Sequence, residues 1–299
     1  MNRFRRTLLI SIPYLWLLLF FLAPFIIVVK ISLSDTAIAQ PPYVPVFDPA
    51  LGWAGLRDFL SGLDFESYIW LTQDSLYINA FLESLKIALF STSLCLLVAF
   101  PLALGIARTS PKRRPILLML VILPFWTSFL IRVYAWIGIL RSEGFLNQFL
   151  QWSGVISEPL AIINTPVAVY IGIVYSYLPF MVLPIYATLE KMDGSLLEAA
   201  IDLGCSRTSA FWRVTLPLAA PGIIAGCFLV FIPAMGEFVI PDLLGGTGTL
   251  MMGKTLWSEF FSNRDWPVAS AVAIVLLLFL VAPMVAFQRM LERQQEAAR

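Results

Sequence analysis

The sequence predicts an all-α membrane protein with six transmembrane helices and both termini on the cytoplasmic side. Three observations carry this prediction. Hydrophobic residues fill 59% of the 299 positions and charged residues only 13%, a balance typical of polytopic membrane proteins. The apolar residues gather in six continuous runs, each long enough to cross a hydrocarbon core of about 30 Å. Lysine and arginine then fall mostly on one side of those runs.

The first run, Ile12–Ile31, follows Arg3, Arg5 and Arg6. A basic start before an apolar stretch mimics a signal peptide. This run is longer than a typical signal-peptide core and no small-x-small cleavage site follows, so it reads as an uncleaved span. The connection from Ser32 to Glu83 is rich in proline, aspartate and aromatic residues, among them Pro41, Pro42, Tyr43, Pro45, Trp53 and Phe59. It is too long for a bare connector and is expected to carry short helices on the outer surface, with docking of an outer partner as one use. Runs two and three, Ser84–Ala107 and Ile116–Leu140, are joined by a basic turn. The stretch from Glu143 to Ile163 is partly apolar and reads as a re-entrant or interfacial helix.

Run four is Pro166–Leu189, run five Leu218–Ile240 and run six Val268–Phe287. All six must be helical, because backbone polar groups in lipid have no water partner. Prolines 179, 184, 221, 233 and 241 punctuate runs four and five. Each removes a helix hydrogen bond; the resulting kinks either open a pathway or are simply tolerated, as proline often is in membrane helices. No internal repeat is visible, and 1–299 reads as a single transmembrane domain.

Orientation follows from charge. With the N-terminus inside, the inner segments carry thirteen cations (Arg3, Arg5, Arg6, Arg108, Lys112, Arg113, Arg114, Lys191, Arg207, Arg213, Arg289, Arg293, Arg299) and the outer ones four (Arg57, Arg141, Lys254, Arg264). The outer loops hold twelve carboxylates, including Asp48, Asp58, Asp64, Glu66, Asp74 and Glu83. That acidic face either concentrates a cationic solute or is the remainder left when basic residues stay inside.

Several function classes fall away. There is no histidine, and Cys95, Cys205 and Cys227 are widely spaced, so neither a metal site nor a disulfide framework is expected. A net charge of +1 gives no reason to expect nucleic-acid binding. No nucleophile–base pair marks a membrane enzyme. An ion-coupled secondary transporter lacks a mid-span charge pair and inverted half-repeats. Gly248–Thr255 reads GTLMMGKT and matches the phosphate-loop pattern G-x-x-x-x-G-K-T. That chemistry needs a strand before the loop and a helix after it; here a membrane span precedes it, and the topology puts it outside the cell, so nucleotide binding is not expected.

The longest predominantly polar stretch between spans on the inner side is 190–217. Ser195 and Glu198 have the spacing of a capping box, which predicts a short helix from Glu198 to Leu203. Gly204 should stop that helix and Ser206 should start a second, carrying Phe211, Trp212 and Val214, with Leu216-Pro217 ending it before span five. The hairpin exposes small and apolar residues, which suit a groove in another protein or packing on its own span ends.

Glu198, Ala199, Ala200, Gly204, Val214, Leu216 and Pro217 stand at the spacing of the EAA loop of ABC-importer permeases, and the stretch resembles that loop, with Val214 where the family often has isoleucine. Leu123–Leu140, Tyr175–Glu190 and Phe231–Gly246 are similar to the permeases of polyamine importers, the spermidine/putrescine family, and closest to its putrescine type. The resemblance covers nearly the whole chain. It implies a type I ABC-importer permease (MetI-like) fold in the bacterial inner (cytoplasmic) membrane. It also implies a non-catalytic subunit without a cofactor of its own, ATP and magnesium being held by a partner. The implied partners are a second homologous permease subunit, two copies of a cytoplasmic ATP-binding subunit and a periplasmic substrate-binding protein. In the family the hairpin docks on the ATP-binding subunit, so Glu198 is an ionic contact there, a helix-capping partner, or both. A permease for another small solute is the alternative reading.

A polyamine path needs acidic or aromatic partners that are individually weak. Glu237 is the only carboxylate inside a predicted span, toward the outer end of span five. It lines the path, sits at the interface, or partners Arg132 near another outer end. Trp126, Tyr134 and Trp136 in span three and Tyr175 and Tyr177 in span four are the aromatic candidates, either for cation–π contacts or as interfacial and packing residues.

Overall fold

The computed structural model describes residues 3–46 and 48–297; of the cations counted above, only Arg299 lies outside them. The chain divides into two compact units, residues 1–79 with 255–299, and residues 80–254.

In the first unit, α1 (Arg3–Leu17) and α2 (Ala23–Ser32) are joined through a π turn, Leu18–Leu22, into one apolar span. The long connection does carry short elements: a two-residue hairpin, β1 (Asp35–Thr36) and β2 (Tyr43–Val44), then α3 (Gly52–Ser61) and α4 (Glu66–Gln73). The last helix of the chain, α15 (Trp266–Ala297), packs against α2 and α4. Polar side chains tie the loop down. Thr36 donates its hydroxyl hydrogen to Asp265 Oδ1 at 2.7 Å, and Tyr77 donates to Glu259 Oε1 at 3.1 Å. The Ser32 and Tyr68 hydroxyls share a 2.7 Å hydrogen bond.

The second unit holds α6 (Arg114–Ile122), α7 (Phe129–Leu140), α8 (Phe145–Trp152), α9 (Pro166–Glu190), α10 (Gly194–Asp202), α11 (Arg207–Ala210), α12 (Leu216–Met235) and α13 (Val239–Leu244). It also takes most of α5 (Ser75–Arg108) and the start of α14 (Met252–Trp257); α15 (Trp266–Ala297) belongs to the first unit. Among the described residues, five helices are long and apolar enough to cross a membrane, or six if one bent pair counts as a span.

That bent pair corrects the third predicted run. Ile116–Leu140 is not one helix: α6 passes into a 3-10 turn, Leu123–Trp126, and α7 leaves at 90°. Pro124 cannot donate a backbone hydrogen bond, and Thr127 is extended (φ −95°, ψ 151°). The Pro124 carbonyl is satisfied by Thr127 instead, through its N–H at 3.3 Å and its hydroxyl at 2.8 Å. The fifth run also ends early. Its helix stops at Met235, and Gly236 to Phe238 break it before α13.

The core of this unit is α9 against α12, with α5 beside them. Small residues set the approach. A Cβ added to Gly222 would meet Thr188 and lie 2.5 Å from the Pro184 carbonyl; at Gly226 it would lie 2.8 Å from Met181 Sδ. Lipid tails are as apolar as leucine, so such close backbone packing, more than hydrophobicity, joins membrane helices.

Replacing Gly222 with alanine should therefore destabilise the protein by about 1–3 kcal/mol. Gly138→Ala, where nothing lies within 4 Å of the new methyl, should leave stability near wild type. Thermal unfolding of the two purified variants checks the contrast.

Candidate functional site

The two helix breaks lie on the same cavity, of about 450 Å³. Phe125 and Phe129 flank the first break, and Gly236, Glu237 and Phe238 form the second; Ser176, Tyr177 and Phe180 of α9 complete most of the wall. Non-helical backbone at membrane depth is tolerated where it is buried in protein or lines a cavity.

Glu237 is 8% exposed and does not sit inside a helix, as the fifth run suggested, but in the break after α12. Its Oε1 accepts the N–H groups of Val239 at 3.1 Å and Ile240 at 3.4 Å, which are first-turn donors of α13 with no partner of their own. Its Oε2 accepts the Tyr177 hydroxyl hydrogen. The carboxylate thus does two jobs: it caps α13 and presents a charge to the cavity.

Arg132 also lines this cavity, from the first turn of α7. It makes no ion pair with Glu237. Its guanidinium carbon lies 4.8 Å from the centre of the Phe125 ring and 5.7 Å from that of Phe129. The aromatic candidates divide. Tyr177 meets Glu237 at the cavity; Trp136 and Tyr175 pair edge to face at 5.3 Å. Trp126 and Tyr134 are exposed and do not line the cavity. Sequence reasoning singled out Glu237 and Tyr177 but gave Arg132 only a supporting part, and it missed Phe125, Phe129, Phe180 and Ser176. The available signal was a lone cation in the apolar run right after Pro124.

The hairpin at 190–217 is present, with two corrections. Its first helix is capped by Asp193, not Ser195: Asp193 Oδ1 accepts the Ser195 N–H at 3.0 Å. That bond holds the Asp193 carboxyl below the usual carboxylate range. Glu198 is therefore not the partner in a capping box; it lies exposed beside Ala199, with Ala200 half-buried. Gly204 does stop the helix, at φ +85°, and the Cys205 N–H closes the end on the Ala200 carbonyl at 3.0 Å. Ser206 caps the second helix, accepting the Ser209 N–H at 3.2 Å.

The second correction is at Leu216-Pro217, which ends nothing. From Arg207 the chain runs through a π turn, Phe211–Thr215, straight into α12, a continuous helix of 29 residues to Met235. Pro217 lacks the N–H an α-helix would use. The π turn, with the Leu216 N–H reaching back to the Phe211 carbonyl, carries the helix into that position. Val214 and Leu216 are half-buried and Pro217 exposed. One side of the hairpin packs inward, with Ala210 buried and Phe211 edge-on to Phe100 at 5.7 Å. The other shows Leu203, 86% exposed, and Trp212, 61% exposed. Arg114 pairs with Glu190 at 3.5 Å where α9 leads into the hairpin.

The phosphate-loop lettering has a packing explanation. A Cβ on Gly253 would meet the Gly236 carbonyl and lie 2.6 Å from that of Glu237, so this glycine lets α14 approach the second break. Lys254 pairs with Asp242 at 3.2 Å, and Thr255 is buried. In the other unit, Asp35, Glu66 and Asp265 line a cavity of about 290 Å³ with Trp70. Burial and the neighbouring Asp64 charge push the Asp35 carboxyl up.

Residues 96–296 match a family model described as the binding-protein-dependent transport system inner membrane component. The spermidine/putrescine transport system permease protein PotB of Escherichia coli is 48% identical over 207 residues, 69% of this chain and 75% of that protein. Its namesake in Haemophilus influenzae is 40% identical over 298 residues, 99% and 98% of the two chains. Among solved structures, a bacterial ABC transporter involved in import of the acidic polysaccharide alginate aligns with a TM-score of 0.66 at 19% identity, over 97% of this chain and 96% of that one. The alginate transporter in complex with its pentasaccharide-bound periplasmic protein gives 0.63 at 18% identity, over 93% and 92%. At these identities the structures speak for the fold alone.

The assignment of the hairpin cap is open to direct test. Asp193→Ala should speed amide exchange in the first turn of α10, whereas Ser195→Ala should leave it unchanged. Hydrogen–deuterium exchange of the hairpin peptides measures both.

Proposed function

Because the chain belongs to the family of binding-protein-dependent transport system inner membrane components, multi-pass proteins of the inner membrane, we propose that it is the permease subunit of an ATP-driven polyamine importer. It forms half of the translocation path and does no chemistry itself. A second, homologous permease subunit supplies the other half. Two copies of a cytoplasmic ATP-binding subunit power it, and a periplasmic binding protein delivers the substrate, with putrescine favoured over spermidine.

The observation that supports the substrate class is Glu237. A buried carboxylate in an aromatic-walled cavity suits an ammonium group: the charge attracts it and ring faces replace part of its hydration. An arriving ammonium competes with the Tyr177 hydroxyl for Oε2 while Oε1 stays fixed by the α13 backbone. Tyr175 and Trp136 offer a further aromatic contact nearby in α9 and α7. Contacts of this kind are weak singly, which allows the solute to leave as well as enter.

Energy enters at the other end of the same helix. The exposed face of the hairpin, with Glu198, Ala199, Leu203 and Trp212, is the docking surface for the ATP-binding subunit. At 1.5 Å per residue, the 29 residues from Arg207 to Met235 make a rod of roughly 40 Å leading to the break at Glu237. Closure of the ATP-binding subunits moves the hairpin, and the rod carries that motion to the cavity.

Reconstituted uptake tests the reading. Unlabelled putrescine and spermidine should compete with labelled putrescine for ATP-driven uptake, and an anionic solute should not; the reverse order would point to another solute. Glu198→Arg should leave insertion and assembly near wild type and lower transport-coupled ATP hydrolysis about tenfold, the scale of one lost charge-assisted contact. Equal loss of protein and activity would count against a docking role.

A further inference from the structure

Arg132 is 8% exposed, and its Nε and Nη1 have no hydrogen-bond partner. Two aromatic faces lie under the guanidinium, but ring faces offset only part of the cost of burying a full charge. Such a group needs an anion. The cavity it lines offers one carboxylate, Glu237, whose oxygens already take three hydrogen bonds from Tyr177, Val239 and Ile240. The cavity therefore carries one fixed cation and one fixed anion and is neutral before any amine enters. An incoming diamine meets an attractive carboxylate and a repulsive guanidinium in the same low-dielectric space.

We propose that Arg132 is a positioning residue that acts through Glu237: a tethered cation that balances the Glu237 charge between transport events and keeps a bound polyamine from being held too tightly to leave. This deepens the polyamine reading above and rests on it. Selectivity follows from the same arrangement. The cavity carries one carboxylate for a chain of ammonium groups, so it holds one end of the amine.

The test uses the assembled importer in lipid nanodiscs, with labelled putrescine binding measured without the periplasmic protein and ATP-driven uptake measured with it. Arg132→Gln should tighten putrescine binding about tenfold and lower maximal uptake, so that KM and kcat fall together. Arg132→Lys, which keeps the charge, should stay near wild type. In a Glu237→Gln background, Arg132→Gln should tighten binding much less, because without that carboxylate the amine is no longer held beside the guanidinium. If Arg132→Gln fails to assemble, Arg132→Met carries the test: it keeps a long side chain in the cavity without the charge and should tighten binding in the same direction. Unchanged or weaker binding in the assembled Arg132→Gln or Arg132→Met importer overturns the proposal, as does equal tightening without Glu237. A wild-type importer that neither binds nor transports putrescine or spermidine overturns the polyamine reading itself.

Discussion

The rest of the structure depends on one constraint: in lipid, every backbone N–H and C=O must find its partner within the protein. Helices satisfy it residue by residue, so any departure from helix has to be met by side chains. Two departures line one cavity. At the first, Thr127 meets the Pro124 carbonyl with both its N–H and its hydroxyl. At the second, Glu237 takes two first-turn N–H groups of α13. These repairs allow backbone to turn where a straight helix would leave no room, and the cavity lies where they do so. The carboxylate that mends the second break also lines the cavity.

The same constraint ties the hairpin to the cavity. A π turn, and not a loop, joins the hairpin to α12, so no flexible joint separates the surface of the hairpin from the cavity. Close-packed Gly222 and Gly226 hold α12 against α9, and α9 carries both Tyr177 and, at its far end, Glu190 beside the hairpin. Packed helices thus join the hairpin to both partners of the Tyr177–Glu237 bond. Packed helices without voids shift as units, which favours two discrete arrangements over a gradual one.

Much of this was legible in the sequence, for physical reasons. Length and continuity of apolar runs fix spans well, and the short helices after the first span follow from the length of that connection. The breaks were not legible, because proline alone does not predict them. Pro101, Pro179, Pro184, Pro221 and Pro233 all sit inside unbroken helices. At Pro124 the chain instead leaves the helix at the extended Thr127, whose N–H and hydroxyl both meet the Pro124 carbonyl. The hairpin was read correctly at Gly204 and Ser206, where backbone geometry demands a residue type. It was misread at Ser195, because Asp193 two residues earlier competes for the same orphan N–H groups. Arg132 was underweighted by pairing it with Glu237 on paper. In the fold the two share a cavity without forming an ion pair, and the guanidinium turns to Phe125 and Phe129 instead.

The central claim is that the Glu237 carboxylate at the second helix break is a contact for an ammonium group on the translocation path. It is tested most directly by ATP-driven putrescine uptake in proteoliposomes containing the wild-type importer or its Glu237→Gln variant. Glutamine keeps the shape and can still accept the α13 N–H groups, so α13 remains capped while the charge is gone. The account predicts at least about a tenfold fall in uptake with assembly intact. Wild-type uptake by the assembled Glu237→Gln importer would contradict it.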